Sequence, residues 1–378
     1  MESVYLDNAA TTPMLPEVIE VMQQAMLQNF GNPSSTHQFG RKAKAAVETA
    51  RKNIAKHFNV AAREIVFTAG GTEADNLILQ NAVVNLGVTR IITSKIEHHA
   101  VLRTVAYLQK QYGVKVDFVE LDENGAVVLD SLEKLLKQGD EKTLVSLMYI
   151  NNEIGNILPI DEVVALCKTY QAYFHSDTVQ AIGHYQIDLQ KIPIDFIVAS
   201  AHKFHGPKGV GFVYIKKGIA VQPMLYGGEQ EKGVRSSTEN VHAILGMEKA
   251  LEVAYTNLEQ DKEYILNLKK YLIAELINKN TNISFNGLSA DVNNSSYLIT
   301  SLRLPIRKNM LLFDLDLKGI AVSSGSACQS GSNKGSHVLQ SFLNDEDAEK
   351  TSLRVSLSKL NTKKEIDFLV NILLKTIN

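Results

Sequence analysis

From residue 64 to residue 215, short apolar runs alternate with helical patterns, and most runs end in polar residues. Strands alternating with helices fold as an α/β layer around a sheet. Glu64 to Thr68 runs into Ala69-Gly70-Gly71-Thr72, and Arg90 to Ser94 runs towards Glu97-His98-His99. Thr143 to Ile150 ends in Asn151-Asn152-Glu153, and Tyr173-Phe174-His175 ends at Asp177 with Thr178-Val179-Gln180 following. The carboxyl ends of strands are where ligands bind in such sheets. The pattern therefore predicts a site at one sheet edge.

One of these ends carries a lysine. The run Asp195 to Ser200 leads into Ala201-His202-Lys203, then a Gly-Pro-Lys-Gly turn and a second apolar run from Val210 to Ile215. This reads as strand, loop, strand. A lysine held beside a serine and a histidine is a candidate Schiff-base former, with Ser200 and His202 as donors to a phosphate. Gly70-Gly71-Thr72 opens a helix, whose free N–H groups and positive end suit an anion. The stretch matches neither a nucleotide P-loop nor a dinucleotide fingerprint. The His98–His99 pair is not read as a metal site.

Bulk properties narrow the partners. The chain has 378 residues, 45% hydrophobic and 21% charged, with formal net charge -2. That fits a globular protein of about two domains and argues against a nucleic-acid binder driven by phosphate neutralisation. The first residues lack the basic and apolar regions of a signal peptide, and no apolar stretch is long enough for a bilayer. Neither a disulfide framework nor a zinc site follows from Cys167 and Cys328, and a reducing cytoplasm is expected. Cys167, in a helical pattern from Asp161 to Tyr170, is expected in the core.

The later chain changes character. Met224 to Thr238 is a glycine-rich loop whose Arg and Thr suit a ligand or subunit contact. Val241 to about Lys279 is helical and reads as a crossing between two domains. Shorter elements follow, with strands expected at Ser295 to Leu302, Ile320 to Ser324 and Ser352 to Leu357, before a helix from Lys364 to Ile377. Between Val322 and His337 the chain is mostly Ser, Gly and Asn around Cys328. Such a segment is expected to be mobile, and an exposed thiolate in it would be a nucleophile.

Ser200-Ala201-His202-Lys203, Asp177-Thr178-Val179-Gln180, Asn151 to Gly155, Gly71-Thr72-Glu73, Glu97-His98 and Ser323 to Cys328 together resemble the NifS/IscS-like cysteine desulfurases. The motifs run in family order from Tyr5-Leu6-Asp7-Asn8-Ala9-Ala10 to Arg354-Val355-Ser356-Leu357. The resemblance implies the aspartate-aminotransferase fold: a large domain with a mostly parallel seven-stranded sheet flanked by helices, and a smaller α+β domain. It places the large domain at 14–256, and the small domain, with the Cys328 loop, at 1–13 and 257–378.

It also implies pyridoxal 5′-phosphate as cofactor and L-cysteine as substrate. Lys203 would form the covalent link and move the α-proton, Asp177 would pair with the pyridinium nitrogen, and His98 would stack on the ring. Gln180 would bond the phenolic oxygen. Gly71, Thr72, Ser200 and His202 would hold the phosphate, and Thr238 would reach it from the second subunit of a homodimer. Asn152 and Arg354 would orient the substrate, and Cys328 would take its sulfur as a persulfide for an acceptor protein. A selenocysteine lyase or a class-V aminotransferase of the same fold is the alternative. Gln329 and Gly335 stand where many relatives carry Thr and Pro, and the longer tail that docks an iron–sulfur scaffold in housekeeping relatives is not expected after the last helix.

Overall fold

The computed structural model describes residues 3–279, 282–308, 310–324 and 335–377. The chain begins with β1 (Val4–Tyr5), α1 (Pro16–Gln28), α2 (Gln38–His57), β2 (Ile65–Thr68) and α3 (Gly71–Val84). There follow β3 (Arg90–Thr93), α4 (His99–Tyr112), β4 (Lys115–Phe118), α5 (Leu129–Leu136), β5 (Thr143–Ser146), α6 (Ile160–Thr169), β6 (Tyr173–Asp177), β7 (Phe196–Ser200) and β8 (Gly211–Ile215). Two long helices come next, α7 (Val241–Thr256) and α8 (Leu258–Asn278). The remainder comprises β9 (Ser284–Phe285), β10 (Ile299–Arg303), α9 (Leu311–Leu317), β11 (Ile320–Ala321), α10 (His337–Gln340), α11 (Asp345–Glu349), β12 (Ser352–Ser356) and α12 (Lys363–Ile377).

Seven strands form one sheet in the order β2-β8-β7-β6-β5-β3-β4. β8 runs antiparallel to both neighbours, and every other adjacent pair is parallel. Every residue of β3, β5, β7 and β8 is buried, which is why these strands read as continuous apolar runs rather than alternating ones. Because β3, β5, β6 and β7 share one direction, their carboxyl ends share one edge. The expected mostly parallel seven-stranded sheet is the one observed.

A three-stranded antiparallel sheet, β12-β10-β9, forms a second layer. β1 pairs in parallel with β11, and the Ser356 N–H donates to Leu6 O at 2.8 Å, so the first residues join the C-terminal part. Val4 and Leu6 accordingly share an apolar core with Leu268, Leu353 and Leu369, whereas Leu15, Phe58, Phe174 and Leu251 share another. The chain between those cores, residues 7–12, crosses the sheet edge. Cys167 is buried on α6, as expected.

Three strands are markedly shorter than the sequence reading, and β11 ends at Ala321 rather than Ser324. β5 stops at Ser146, because its partner β3 ends at Thr93 opposite it. β10 begins at Ile299, because Ser295 and Ser296 receive the buried Lys269 instead: its Nζ donates to Ser295 Oγ at 2.8 Å and Ser296 O at 2.7 Å.

Candidate active site

The glycine turn after β2 is shaped by two close approaches. Gly70 has φ +151°, a region costly for any side chain. A Cβ on Gly71 would lie 2.8 Å from Val179 Cγ2, so only glycine lets the start of α3 sit this close to the turn after β6. The first N–H groups of the 14-residue helix α3 thus face the sheet edge without a side chain in the way. Ser200 closes β7 beside this turn, its Oγ 3.3 Å from where a Cβ on Gly70 would stand. His202 Nδ1 meets Thr11 Oγ1 at 3.1 Å. Burial, then Lys203 and Lys208, push the His202 imidazole down to about 4, so it is neutral near pH 7.

Lys203 ends the single turn Ala201–Lys203 that follows β7. Its Nζ donates to Ala9 O and Ala10 O, each at 2.8 Å, and Gln180 Nε2 donates to Ala9 O at 3.0 Å. The crossing segment is itself fixed by the Thr12 N–H donating to His202 O at 2.9 Å.

Asp177 is the last residue of β6, is 6% exposed, and accepts the Val179 N–H at 3.0 Å. Burial raises its pKa, while His98, the Val179 N–H and Lys203 act the other way. His98 caps α4: its Nδ1 accepts the Ala100 N–H at 3.1 Å, which leaves Nε2 as the protonated nitrogen of the neutral ring. Burial lowers the His98 pKa, which favours that neutral form. The fold brings two carboxylates distant in sequence to this histidine: side-chain nitrogen and oxygen atoms of Asp75, His98 and Asp177 lie within 4.8 Å of one another.

Arg354 enters from β12. Its Nη1 donates to Asn152 O at 2.7 Å and its Nη2 to Asp7 Oδ1 at 2.9 Å. It is 2% exposed, and its Nε has no hydrogen-bond partner among the described residues. A guanidinium held this way presents a fixed charge to a small carboxylate. Glu153 accepts from the Ser336 hydroxyl, and His337 donates through Nε2 to Glu97 O at 3.0 Å.

A cavity of about 250 Å³ joins these groups, with Lys203, Asp177, His98, Gln180, Asn152 and Arg354 on its walls. It adjoins a wider cavity of about 750 Å³, and Gly71, Thr72, Ser200 and His202 line both. Thr238 is exposed and lines neither cavity. Cys328 lies outside the described residues.

The glycine-rich loop is pinned rather than free. A buried ion pair joins Arg51 to Glu231 at 2.6 Å and 2.8 Å, and Arg235 pairs with Glu73 at 2.7 Å beside the start of α3.

Three site residues were not assigned from sequence: Asp75, His175 and Glu97. Asp75 and His175 are buried beside Asp177, and burial raises the Glu97 pKa to about 8. Their signals were spacings. Asp75 lies one helical turn after Gly71, and His175 shares a strand face with Asp177.

The donor set fits pyridoxal 5′-phosphate: helix N–H groups and a hydroxyl at one end, an amine between, a buried carboxyl at the other. The family model for aminotransferase class-V matches residues 4–369. The "Cysteine desulfurase IscS" of Clostridium botulinum (strain Hall) is 43% identical over 378 residues, covering 100% of this chain and 94% of the relative. A solved "NIFS-LIKE PROTEIN" superposes with TM-score 0.90 at 36% identity, covering 99% of each chain. The structure titled "SspA in complex with cysteine" gives TM-score 0.81 at 29% identity, covering 95% of this chain and 100% of that one. The chain therefore belongs to the class-V aminotransferase family, among the NifS/IscS-like cysteine desulfurases, which are pyridoxal-phosphate enzymes.

Proposed function

We propose that Lys203 carries the cofactor and that Cys328 receives the sulfur removed from L-cysteine, leaving L-alanine. The observation that carries this reading is the shared cavity: an amine, a buried carboxylate and a fixed guanidinium on the walls of one small space. Pyridoxal phosphate, when bound, supplies an aldehyde that captures amines and a cationic ring that accepts the electrons left by a departing proton.

The remaining steps belong to the chain's own groups. Gly71, Thr72, Ser200 and His202 hold the phosphate by neutral N–H and O–H donors. Asp177 keeps the ring nitrogen protonated, and a cation there supplies the pairing that offsets its burial. His98, with its proton on Nε2, would stack on the ring as a neutral imidazole, and Gln180 Nε2 would be the donor to the phenolic oxygen. Arg354 and Asn152 fix the substrate's carboxylate. As a neutral amine, Lys203 Nζ would take the substrate's α-proton and return it further along the substrate. The Cys328 thiolate then bonds to the substrate sulfur as the carbon–sulfur bond breaks, and Lys203 and His98 manage the protons that complete alanine.

Further assignments stand on the same reading. The site is completed in a homodimer, with Thr238 serving the other subunit's phosphate; its exposure away from its own site suits that use. Residues 14–256 form the cofactor domain, and residues 1–13 with 257–378 form the smaller one, in keeping with the separate apolar clusters that hold Leu15 to Leu251 and Val4, Leu6 and Ile265 to Leu373. The persulfide passes to an acceptor protein for iron–sulfur clusters, thio-cofactors or tRNA thiolation, in the cytoplasm. Among the described residues no helix is long and apolar enough to cross a membrane.

Cys328→Ser tests the sulfur route. The variant is expected to change its cofactor absorbance on adding L-cysteine yet release no sulfide under reductant. Sulfide release at the normal rate would remove Cys328 from the reaction.

A further inference from the structure

Behind Asp177 lies a group of side chains with no part in the roles above. Asp75, on α3, is 1% exposed. Its Oδ1 lies 3.3 Å from Nε2 of the fully buried His175. On the far side of that ring, Nδ1 lies 2.9 Å from Ser146 Oγ. Neither Asp75 Oδ1 nor His175 Nε2 has a well-directed hydrogen bond among the described residues, to each other or to a third group, so the 3.3 Å approach is a close contact that a proton on the acid would turn into a bond. Asp75 also stands within 4.8 Å of His98 and Asp177 ligand atoms.

Two buried carboxyls this close cannot both ionise without strong repulsion. Asp177 has support for its charge in the Val179 N–H, His98 and Lys203. The groups facing Asp75 are Asp177 and Glu97, both acids, and neither favours a charge on it. Its remaining neighbour is no cation either: burial pushes His175 down to about 3, so the ring offers a lone pair rather than a positive charge. An unpaired carboxylate in such a place takes up a proton.

We propose that Asp75 holds a proton and donates it to the Nε2 lone pair of His175, whose Nδ1–H in turn donates to Ser146. A neutral pair then lies behind Asp177 and leaves it the single anion at the deep end of the site. Asp75 is thereby a positioning residue that acts through Asp177. This rests on the reading that Asp177 faces the cofactor's ring nitrogen.

The test is infrared spectroscopy of the holoenzyme carrying isotope-labelled aspartate, joined to nitrogen NMR of the His175 imidazole. Near neutral pH a protonated-carboxyl stretch is expected that shifts with the aspartate label and with deuteration. Asp75→Asn should remove it and Asp177→Asn should retain it. His175 should show a neutral ring with its proton on Nδ1. Three results would overturn the proposal: no label-sensitive acid stretch, a stretch that survives Asp75→Asn, or a His175 proton on Nε2, which would make Asp75 the ionised acceptor. If Asp75→Asn does not fold, the label shift and the His175 tautomer of the unsubstituted enzyme decide the matter. Failure of the underlying reading looks different: Asp177→Asn would leave the cofactor absorbance unchanged while the Asp75 stretch is present.

Discussion

The two ends of the cavity solve opposite problems. The shallow end, at Gly71, Thr72, Ser200 and His202, opens onto a cavity of about 750 Å³; these four residues offer neutral donors, and Lys208 and Arg235 stand farther out on the same wall. The deep end packs Asp177, Asp75, Glu97 and His175 at exposures from 0% to 6%. Dipoles at a helix start can hold an anion near solvent with little reorganisation. A charge under the ring needs low dielectric and few competitors, since interactions there are worth more and errors cost more. Losing one shallow donor therefore removes one contact among several. Changing the deep end alters which group is charged.

That contrast can be broken in three places. Asp177→Ala should have the largest effect, lowering kcat by about 100-fold or more, as loss of a buried electrostatic partner does; steady-state alanine release checks it, and a rate near wild type would reduce the deep end to packing. Ser200→Ala should weaken cofactor binding by roughly tenfold, for about 1.5 kcal/mol of a hydrogen bond to a charged group. Titrating the cofactor-free variant with pyridoxal phosphate measures this. A loss as large as that at Asp177 would erase the distinction between the ends.

The smallest effect concerns stability. Glu97 is raised from 4.5 to about 8, chiefly by burial, although Ser94 and the Met148 N–H favour its charged form. Its folded-state pKa is above the unfolded value, so the folded chain keeps a proton that the unfolded chain gives up. Its contribution is whole below about 4.5 and is lost as pH rises towards about 8. Glu97→Gln should flatten that decline in a series of melting temperatures against pH. An unchanged slope would mean that Glu97 is ionised when folded.

Much of this was legible because the sheet is mostly parallel: its inner strands read as apolar runs, and their polar endings marked the site edge. Period also carried information that went unused, at Gly71 with Asp75 and at His175 with Asp177. What sequence could not supply was adjacency across long separations. Nothing local pairs Arg51 with Glu231, or brings Arg354 to Asp7 and Asn152. Lys269 lies in an amphipathic pattern yet is 0% exposed, because the turn at Ser295 and Ser296, distant in sequence, satisfies its ammonium. Sheet order decides such pairs, and a strand pattern does not encode it.

The central claim is that the Lys203 amine carries the cofactor. Hydride reduction of the holoenzyme followed by peptide mass mapping tests it directly. A pyridoxyl-phosphate mass on the peptide containing Lys203 is the predicted result. The same mass on another lysine, with Lys203 unmodified, would contradict the account.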